Sequence, residues 1–322
     1  MSAARKADSV GIVSLGEPMI EFNQARRDDS SHWMQGFGGD TSNMAIAASR
    51  LGNGFGINSG YITRIGDDAF GRMLRELWAH EGVSQAGVVV DASAPTGVYF
   101  VSHGPSGHEF SYLRAGSAAS RMTADTLPLD VIRSTRVLHV SGISQAISSG
   151  ACDACFAAFD AARRAGASVS YDPNLRLKLW PLARARAIIR ESVACADWVM
   201  PSHDDAKALF DVTDENVLVD TLHRLGAGIV VLKCGAQGCV VSDGRRRERI
   251  AGHSVATVDA TGAGDCFDGA FAVRMLAGDD VIVAARYANA AAALATTGFG
   301  AVAPLPSDAA VRALLRQQQV LA

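Results

Sequence analysis

Gly262-Ala263-Gly264-Asp265 sets two glycines and a carboxylate just ahead of an apolar, alanine-rich run, Gly269-Ala270-Phe271-Ala272-Val273-Arg274-Met275-Leu276. The run reads as a helix. The glycines then form a tight turn at its N-terminus, where several backbone N–H groups lack an intrahelical partner. Those donors and the positive end of the helix dipole make an anion site. An aspartate set into an anion site makes chemical sense if a phosphate lies on the amides while Asp265 takes a proton from an attacking hydroxyl. A plainer reading stands beside it: glycine turns before helices are common, and Asp suits a helix start for structural reasons alone.

A second glycine-to-helix junction lies nearer the N-terminus. Gly36-Phe37-Gly38-Gly39-Asp40-Thr41-Ser42-Asn43 leads into Met44-Ala45-Ile46-Ala47-Ala48-Ser49-Arg50-Leu51, and Gly52 stops the helix. Gly38 and Gly39 let the backbone approach a ligand, and Asp40 and Asn43 offer polar groups there. Equally, Asp40 or Ser42 is simply the N-cap. Tyr99, Tyr112 and Arg114 stand out in a chain so rich in alanine; they line a ligand face or cover a sheet. Arg176 follows Pro173 just past a strand end, a place that favours a site over a structural salt bridge.

These clusters need elements to hold them. Strand-like runs occupy about 10–15, 19–22, 58–65, 95–101, 108–114, 136–140, 167–172, 197–200 and 228–233. Helical patterns occupy 69–80, 149–166, 182–195 and 213–225, and another helix begins at 201–205. Residues 26–32 read as polar and exposed, and Gly104-Pro105-Ser106-Gly107 as a hairpin turn. Strands alternating with helices imply a mostly parallel sheet with helices on both faces. In such sheets ligands sit outside the carboxyl ends of the strands, where these clusters fall.

Composition narrows the function. The 322 residues, with no low-complexity linker, suit one α/β domain. A net charge of −3 gives no global field toward nucleic acid or membrane. Arg245-Arg246-Arg247 follows Asp243-Gly244 and reads as a solvated turn. Six irregularly spaced cysteines argue for free thiols and a cytoplasmic setting. Cys152 and Cys155 share a helical face with Phe156 and Phe159, so core packing explains them better than a metal. No apolar run is long enough to span a bilayer, and residues 1–9 are short and polar, unlike a signal peptide. No Walker loop, no dinucleotide fingerprint after the first strand and no His-Glu-x-x-His or Gly-x-Ser-x-Gly motif occurs. A lone histidine such as His139 is a core residue on this reading. What remains is phosphoryl transfer on a non-Walker anion hole.

Residues 259–268 resemble the C-terminal signature of the ribokinase/PfkB carbohydrate kinases, and Gly38-Gly39-Asp40-Thr41-Ser42-Asn43 resembles their N-terminal sugar-binding segment. Within that family, Thr96-Gly97-Val98-Tyr99, the 112–118 run, Ser141-Gly142-Ile143 and Asp172-Pro173-Asn174-Leu175-Arg176 are similar to 2-keto-3-deoxygluconate kinases. The resemblance implies a ribokinase-like α/β domain spanning 1–322, with a small β-sheet lid from about 18–36 and 91–114 that also forms a homo-oligomer contact. It implies Asp265 as catalytic base and the amides of Gly262, Ala263 and Gly264 as the phosphate hole. Gly38, Gly39, Asp40 and Asn43 would hold the sugar, with Tyr99, Tyr112, Arg114, Ile143 and Arg176 taking a 2-keto acid. Arginine's planar fork suits a carboxylate. Ser202, Lys233, Gly235, Gly238 and Asn289 would serve ATP. Asp205 would organise Mg²⁺, although Ser202-His203-Asp204-Asp205 departs from the family's commoner Asn-x-x-Glu. Asp259 and Thr261, with the carbonyls of Ala295 and Gly298, would hold K⁺. The expected reaction is ATP-dependent phosphorylation of 2-keto-3-deoxygluconate on its primary hydroxyl. The alternatives are a neutral sugar such as fructose, or a non-catalytic sugar-binding regulator.

Overall fold

A computed structural model of the chain describes residues 10–26, 29–104 and 107–319. The polar stretch 1–9, the Pro105-Ser106 turn centre, and Arg27 and Asp28 of the expected polar segment lie outside these residues.

The chain begins with β1 (Ile12–Leu15), β2 (Met19–Arg26) and β3 (Asp29–Gly38). Next come α1 (Asp40–Gly52), β4 (Ser59–Gly66), α2 (Ala69–His80), β5 (Ser84–Asp91), β6 (Gly97–Gly104) and β7 (Gly107–Leu113). Strands and helices then alternate: α3 (Leu129–Ser134), β8 (Val137–Ser141), α4 (Gly142–Ala146), α5 (Ser149–Arg164), β9 (Ser168–Asp172), α6 (Leu182–Cys195) and β10 (Trp198–Val199). The rest is α7 (His203–Phe210), α8 (Glu215–Leu225), β11 (Ile229–Lys233), β12 (Cys239–Ser242), β13 (Arg247–Ile250), α9 (Ala263–Leu276), α10 (Val281–Ala295) and α11 (Asp308–Gln319).

Nine strands make one sheet in the order β13-β12-β11-β10-β9-β8-β1-β4-β5. Every pairing from β5 to β11 is parallel, and β12 and β13 are added antiparallel. Side chains alternate across the pleat. Ile12 and Val231 therefore join a core under α1, α2, α9 and α10, while Val13, Val230 and Leu232 join one under α5, α6, α7 and α8. Cys155 and Phe159 are buried in that second core, and Cys152 is buried on the same helix. His139 is buried in β8, and its Nδ1 lies 3.0 Å from Ser170 Oγ. Burial lowers its pKa to about 4.

A separate four-stranded sheet, β3-β2-β6-β7, stands beside the large one. Its strands lie within 19–38 and 97–113, where about 18–36 and 91–114 were expected, and three further features differ from the sequence expectation. The segment read as an exposed polar loop enters β3, an edge strand whose residues 31–35 are exposed, so no apolar alternation marks it. Trp33 is held there by an edge-to-face contact with Phe100 at 5.4 Å. The unexpected β5 is an edge strand of the large sheet, with Val89 and Val90 exposed. The helix after the glycine turn starts at Ala263 rather than 269.

Candidate active site

The carboxyl ends of β1, β8, β9, β10 and β11 open onto one crevice, and the N-terminus of α9 meets them there. Gly262 caps α9 in the left-handed region at φ 76°, and a Cβ on it would stand 2.9 Å from Ala301 Cβ. Only glycine fits this turn. The Ala263 N–H closes the turn on the Ala260 carbonyl at 3.2 Å, and the Cys266 N–H makes the first helical bond to Gly262 at 2.9 Å. Ala263 is therefore not a free donor, contrary to the sequence expectation. The N–H groups of Gly262, Gly264 and Asp265 have no protein partner among the described residues. They remain open to an anion.

Asp265 lies deep in the molecule, on the crevice floor where solvent still reaches it. Asn43 Nδ2 donates to its Oδ2 at 2.8 Å. Burial first, and then the Asp40 carboxylate, push the Asp265 pKa up to about 7, against the pull of Asn43 and the Lys233 ammonium. A carboxyl tuned to that range suits a general base working near neutrality. Asn43 Oδ1 is buried without a partner, the kind of exception that marks a working site.

The sugar-side residues surround the start of α1. Gly39 is its N-cap with φ 104°, and a Cβ there would stand 2.8 Å from Pro18 Cα. Gly38 is covered by Tyr99, whose hydroxyl would lie 2.5 Å from an added Cβ. These glycines thus admit protein neighbours, not a ligand alone. Neither Asp40 nor Ser42 caps α1. Asp40 Oδ2 accepts from Asn174 Nδ2 at 2.7 Å, and Ser42 Oγ accepts from Trp78 Nε1 at 2.9 Å. Tyr99 stacks on Tyr112 at 5.8 Å and donates its hydroxyl to Glu21. Ile143, in the short helix α4, is half-buried in the crossover that follows β8.

Arg114 departs from expectation. Its Nε donates to Glu17 Oε2 at 2.7 Å, a second guanidinium nitrogen does the same, and Ser117 Oγ donates to Glu17 Oε1. Glu17 is 1% exposed. Arg114 is therefore neutralised inside the protein and is not an uncommitted carboxylate fork. Arg176 is exposed, with Nη1 on the Leu175 carbonyl at 2.9 Å, and its charge acts on Asp205.

On the nucleotide side, Gly235 and Gly238 adopt φ 57° and 92° in a turn between β11 and β12. A Cβ on Gly238 would stand 2.6 Å from the Gly252 nitrogen. Ser202 caps α7 by accepting from the Asp205 N–H at 3.1 Å. Asn289 is buried, and its Nδ2 donates to the Ala251 carbonyl at 2.8 Å, so it braces the loop after β13. Lys233 Nζ donates to Asp172 Oδ2 and Asp268 Oδ1, each at 2.9 Å, so its ammonium is committed to two carboxylates. Burial pulls the Lys233 pKa down, but the two carboxylates outweigh it and the net direction is upward. Asp205 is pushed up by burial and then by Asp172, so a divalent cation would relieve that pair. Asp259 Oδ1 accepts from the Thr261 N–H at 2.9 Å, and Oδ2 accepts from the Gly300 N–H at 2.9 Å. This ties the turn before α9 to the loop after α10.

Sequence reasoning passed over Glu17, Glu21, Asp172, Asn174 and Asp268 as site residues. Asp172 and Asn174 had a usable signal in their position at the end of β9. Asn174 also has a left-handed backbone, φ 33°, unusual for a non-glycine residue.

The pattern of the pfkB family of carbohydrate kinases matches residues 10–308. The chain is 34% identical over 330 residues to fructokinase-2 of Oryza sativa subsp. japonica, covering 98% of this chain and 96% of that one. Among solved structures it resembles a PfkB protein from Polaromonas sp. JS666, at 31% identity and a TM-score of 0.85, over 95% of this chain and all of the other. It also resembles a double-mutant fructokinase from Vibrio cholerae O395 in its fructose, ADP and potassium ion bound form. There the identity is 27% and the TM-score 0.84, over 96% of this chain and 100% of that one. Both of these relatives that carry a named activity are fructokinases, not the 2-keto-3-deoxygluconate kinases of the finer resemblance. No helix among the described residues is long and apolar enough to cross a membrane.

Proposed function

The chain belongs to the pfkB family of carbohydrate kinases, and from that premise we propose that it transfers the γ-phosphoryl group of ATP to the primary hydroxyl of a neutral ketohexose such as fructose. The observation that carries this reading is Asp265 beside the unpartnered amides of α9. The hydroxyl gives its proton to the Asp265 carboxylate as its oxygen bonds to the γ-phosphorus, and ADP leaves with the former bridging oxygen. The N–H groups of Gly262, Gly264 and Asp265 receive the charge on the moving phosphoryl group. Asp40 and Asn43, with Gly38, Gly39, Tyr99, Tyr112 and Ile143 around them, orient the sugar so that this attack is in line.

An acidic sugar would call for an uncommitted cation. Arg114 is held by Glu17, whereas Arg176 is exposed and donates to the Leu175 carbonyl. The commitment of Arg114, together with the fructokinase relatives, favours the neutral substrate over 2-keto-3-deoxygluconate. A sugar-binding regulator without activity would have no use for a carboxylate set beside the open amides of α9.

ATP would lie along Gly235, Gly238, Ser202 and Asn289. Asp205, with Asp172 near it, would hold Mg²⁺ in part through water; bound there, the ion neutralises phosphate charge. Asp259, Thr261 and the carbonyls of Ala295 and Gly298 would hold K⁺. Met34, Phe110 and Tyr112 are exposed on the small-sheet face that carries Tyr99, which supports a lid role and a homo-oligomer built through this sheet. The cytoplasm suits an ATP-dependent enzyme with six free thiols.

The test is ADP release with fructose, ribose, gluconate, 2-keto-3-deoxygluconate and its galactonate epimer. Fructose should give the highest kcat/KM. A higher value for the keto acids would restore the acidic-sugar reading, and no release with any sugar would favour the regulator.

A further inference from the structure

The Lys233 side chain reaches the first turn of α9. It is 11% exposed, and a Cβ built on Gly264 would lie 3.5 Å from its Nζ. From this ammonium the side chains can be followed around the crevice floor and back. Lys233 holds Asp172 Oδ2, and Asp172 Oδ1 accepts the Asn174 N–H at 3.1 Å. Asn174 Nδ2 donates to Asp40 Oδ2, and Asn43 Nδ2, one helical turn on, donates to Asp265 Oδ2. Asp268 lies one turn beyond Asp265 and returns to Lys233. Residues three apart share a helix face, so the two turns of α1 and α9 complete the circuit. Separated chain segments are joined in it, and the left-handed Asn174 sits where the segment after β9 must bend to reach Asp40.

We propose that Lys233 and Asn174 are positioning residues, which through this closed circuit fix the Asp265 carboxylate against Asp40 at the distance the reaction needs. The inference rests on the kinase reading of Asp265. It differs from a nucleotide role for Lys233, because the ammonium is bonded to two carboxylates. Small displacements of a reacting group cost large factors in rate, so a circuit that only orients should act on kcat.

The experiment compares Lys233→Met, Lys233→Arg, Asn174→Gly and the Lys233→Met/Asn174→Gly double variant with the wild type. Glycine keeps the backbone at φ 33° and deletes only the amide. Lys233→Met should lower kcat about 10- to 100-fold and leave the KM for ATP within about twofold. Lys233→Arg should recover part of the loss. The double variant should be little worse than the worse single one, because either cut opens the same ring. A raised KM for ATP at unchanged kcat, or fully additive losses, would overturn the proposal. Should Lys233→Met not fold, Asn174→Gly decides alone, since it leaves the buried charges in place; unchanged kcat there overturns the circuit. A second readout needs no turnover. Amide exchange in a peptide spanning residues 264–268 should quicken in Asn174→Gly, although Asn174 makes no hydrogen bond to α9; unchanged exchange refutes the circuit. Absence of turnover in the wild type would refute the kinase reading and leave the exchange result to judge the circuit.

Discussion

Asn43 and Asp265 are 222 residues apart in the chain and share a 2.8 Å hydrogen bond at the floor of the crevice. The amide both aims the carboxylate and favours its charged form. It ties α1 to the N-terminal turn of α9.

Replacing Asp265 by Asn keeps the shape and removes the base. Turnover should fall by about 10²–10⁴-fold, while ATP binding by calorimetry stays near the wild-type value. Turnover close to wild type would remove Asp265 from the chemistry.

The acid limb of kcat/KM should rise through pH of about 7, the value to which Asp265 is pushed. Asn43→Leu removes a donor that lowers this pKa, so the limb should move to higher pH. A limb that stays in place would show that another group titrates.

The same carboxyl weakens the fold. Its folded pKa of about 7 lies above the ordinary 3.8. Between these values the folded state binds more protons than the unfolded one, so stability falls as pH rises through the window and stays lower above it. Asp265→Asn should therefore melt higher than wild type at pH 8, and the two should converge near pH 4. Equal melting temperatures at pH 8 would contradict this.

Arg114→Ala leaves Glu17 buried and unpaired. Breaking one side of a buried pair costs about 3–5 kcal/mol, readable in urea melts. Burial already raises the Glu17 pKa, and Arg114 opposes that rise. The loss should accordingly be larger at pH 8 than at pH 5, where a proton can neutralise Glu17. Adding Glu17→Gln should recover most of it. A double variant as unstable as Arg114→Ala alone would deny the pair its role.

Gly39→Ala meets both a φ of 104° and the Pro18 backbone. Such strain costs on the order of 1–3 kcal/mol, or it shifts the start of α1. The expected outcome is a lower urea midpoint together with a raised KM for the sugar. A variant indistinguishable in both would mean that the junction yields more easily than its geometry implies.

The parallel sheet and most helices could be read from the chain because strands such as Ile229–Lys233 carry apolar runs and helices such as α8 end at a glycine. β3 escaped because an exposed edge strand carries no apolar run, whereas β5 was passed over although Val88, Val89 and Val90 mark it. At the site, Asp265, Asp40 and Asn43 announced themselves beside glycine turns. Lys233 and Arg114 were visible as residue types, but their partners were not. Asp172, Asp268 and Glu17 are distant in sequence and meet them only through sheet order, so a cation meant for a ligand and one taken up by a buried acid look alike in a sequence.

Glu17 touches the root of every strand in the small sheet. β2 begins two residues after it, and Gly39, just past β3, lies against its carbonyl. β6 begins at Gly97, where an added Cβ would stand 3.0 Å from Glu17 Oε1, and β7 ends one residue before Arg114. With all four roots gathered at one residue, any displacement of Glu17 would be felt by every strand of the small sheet at once.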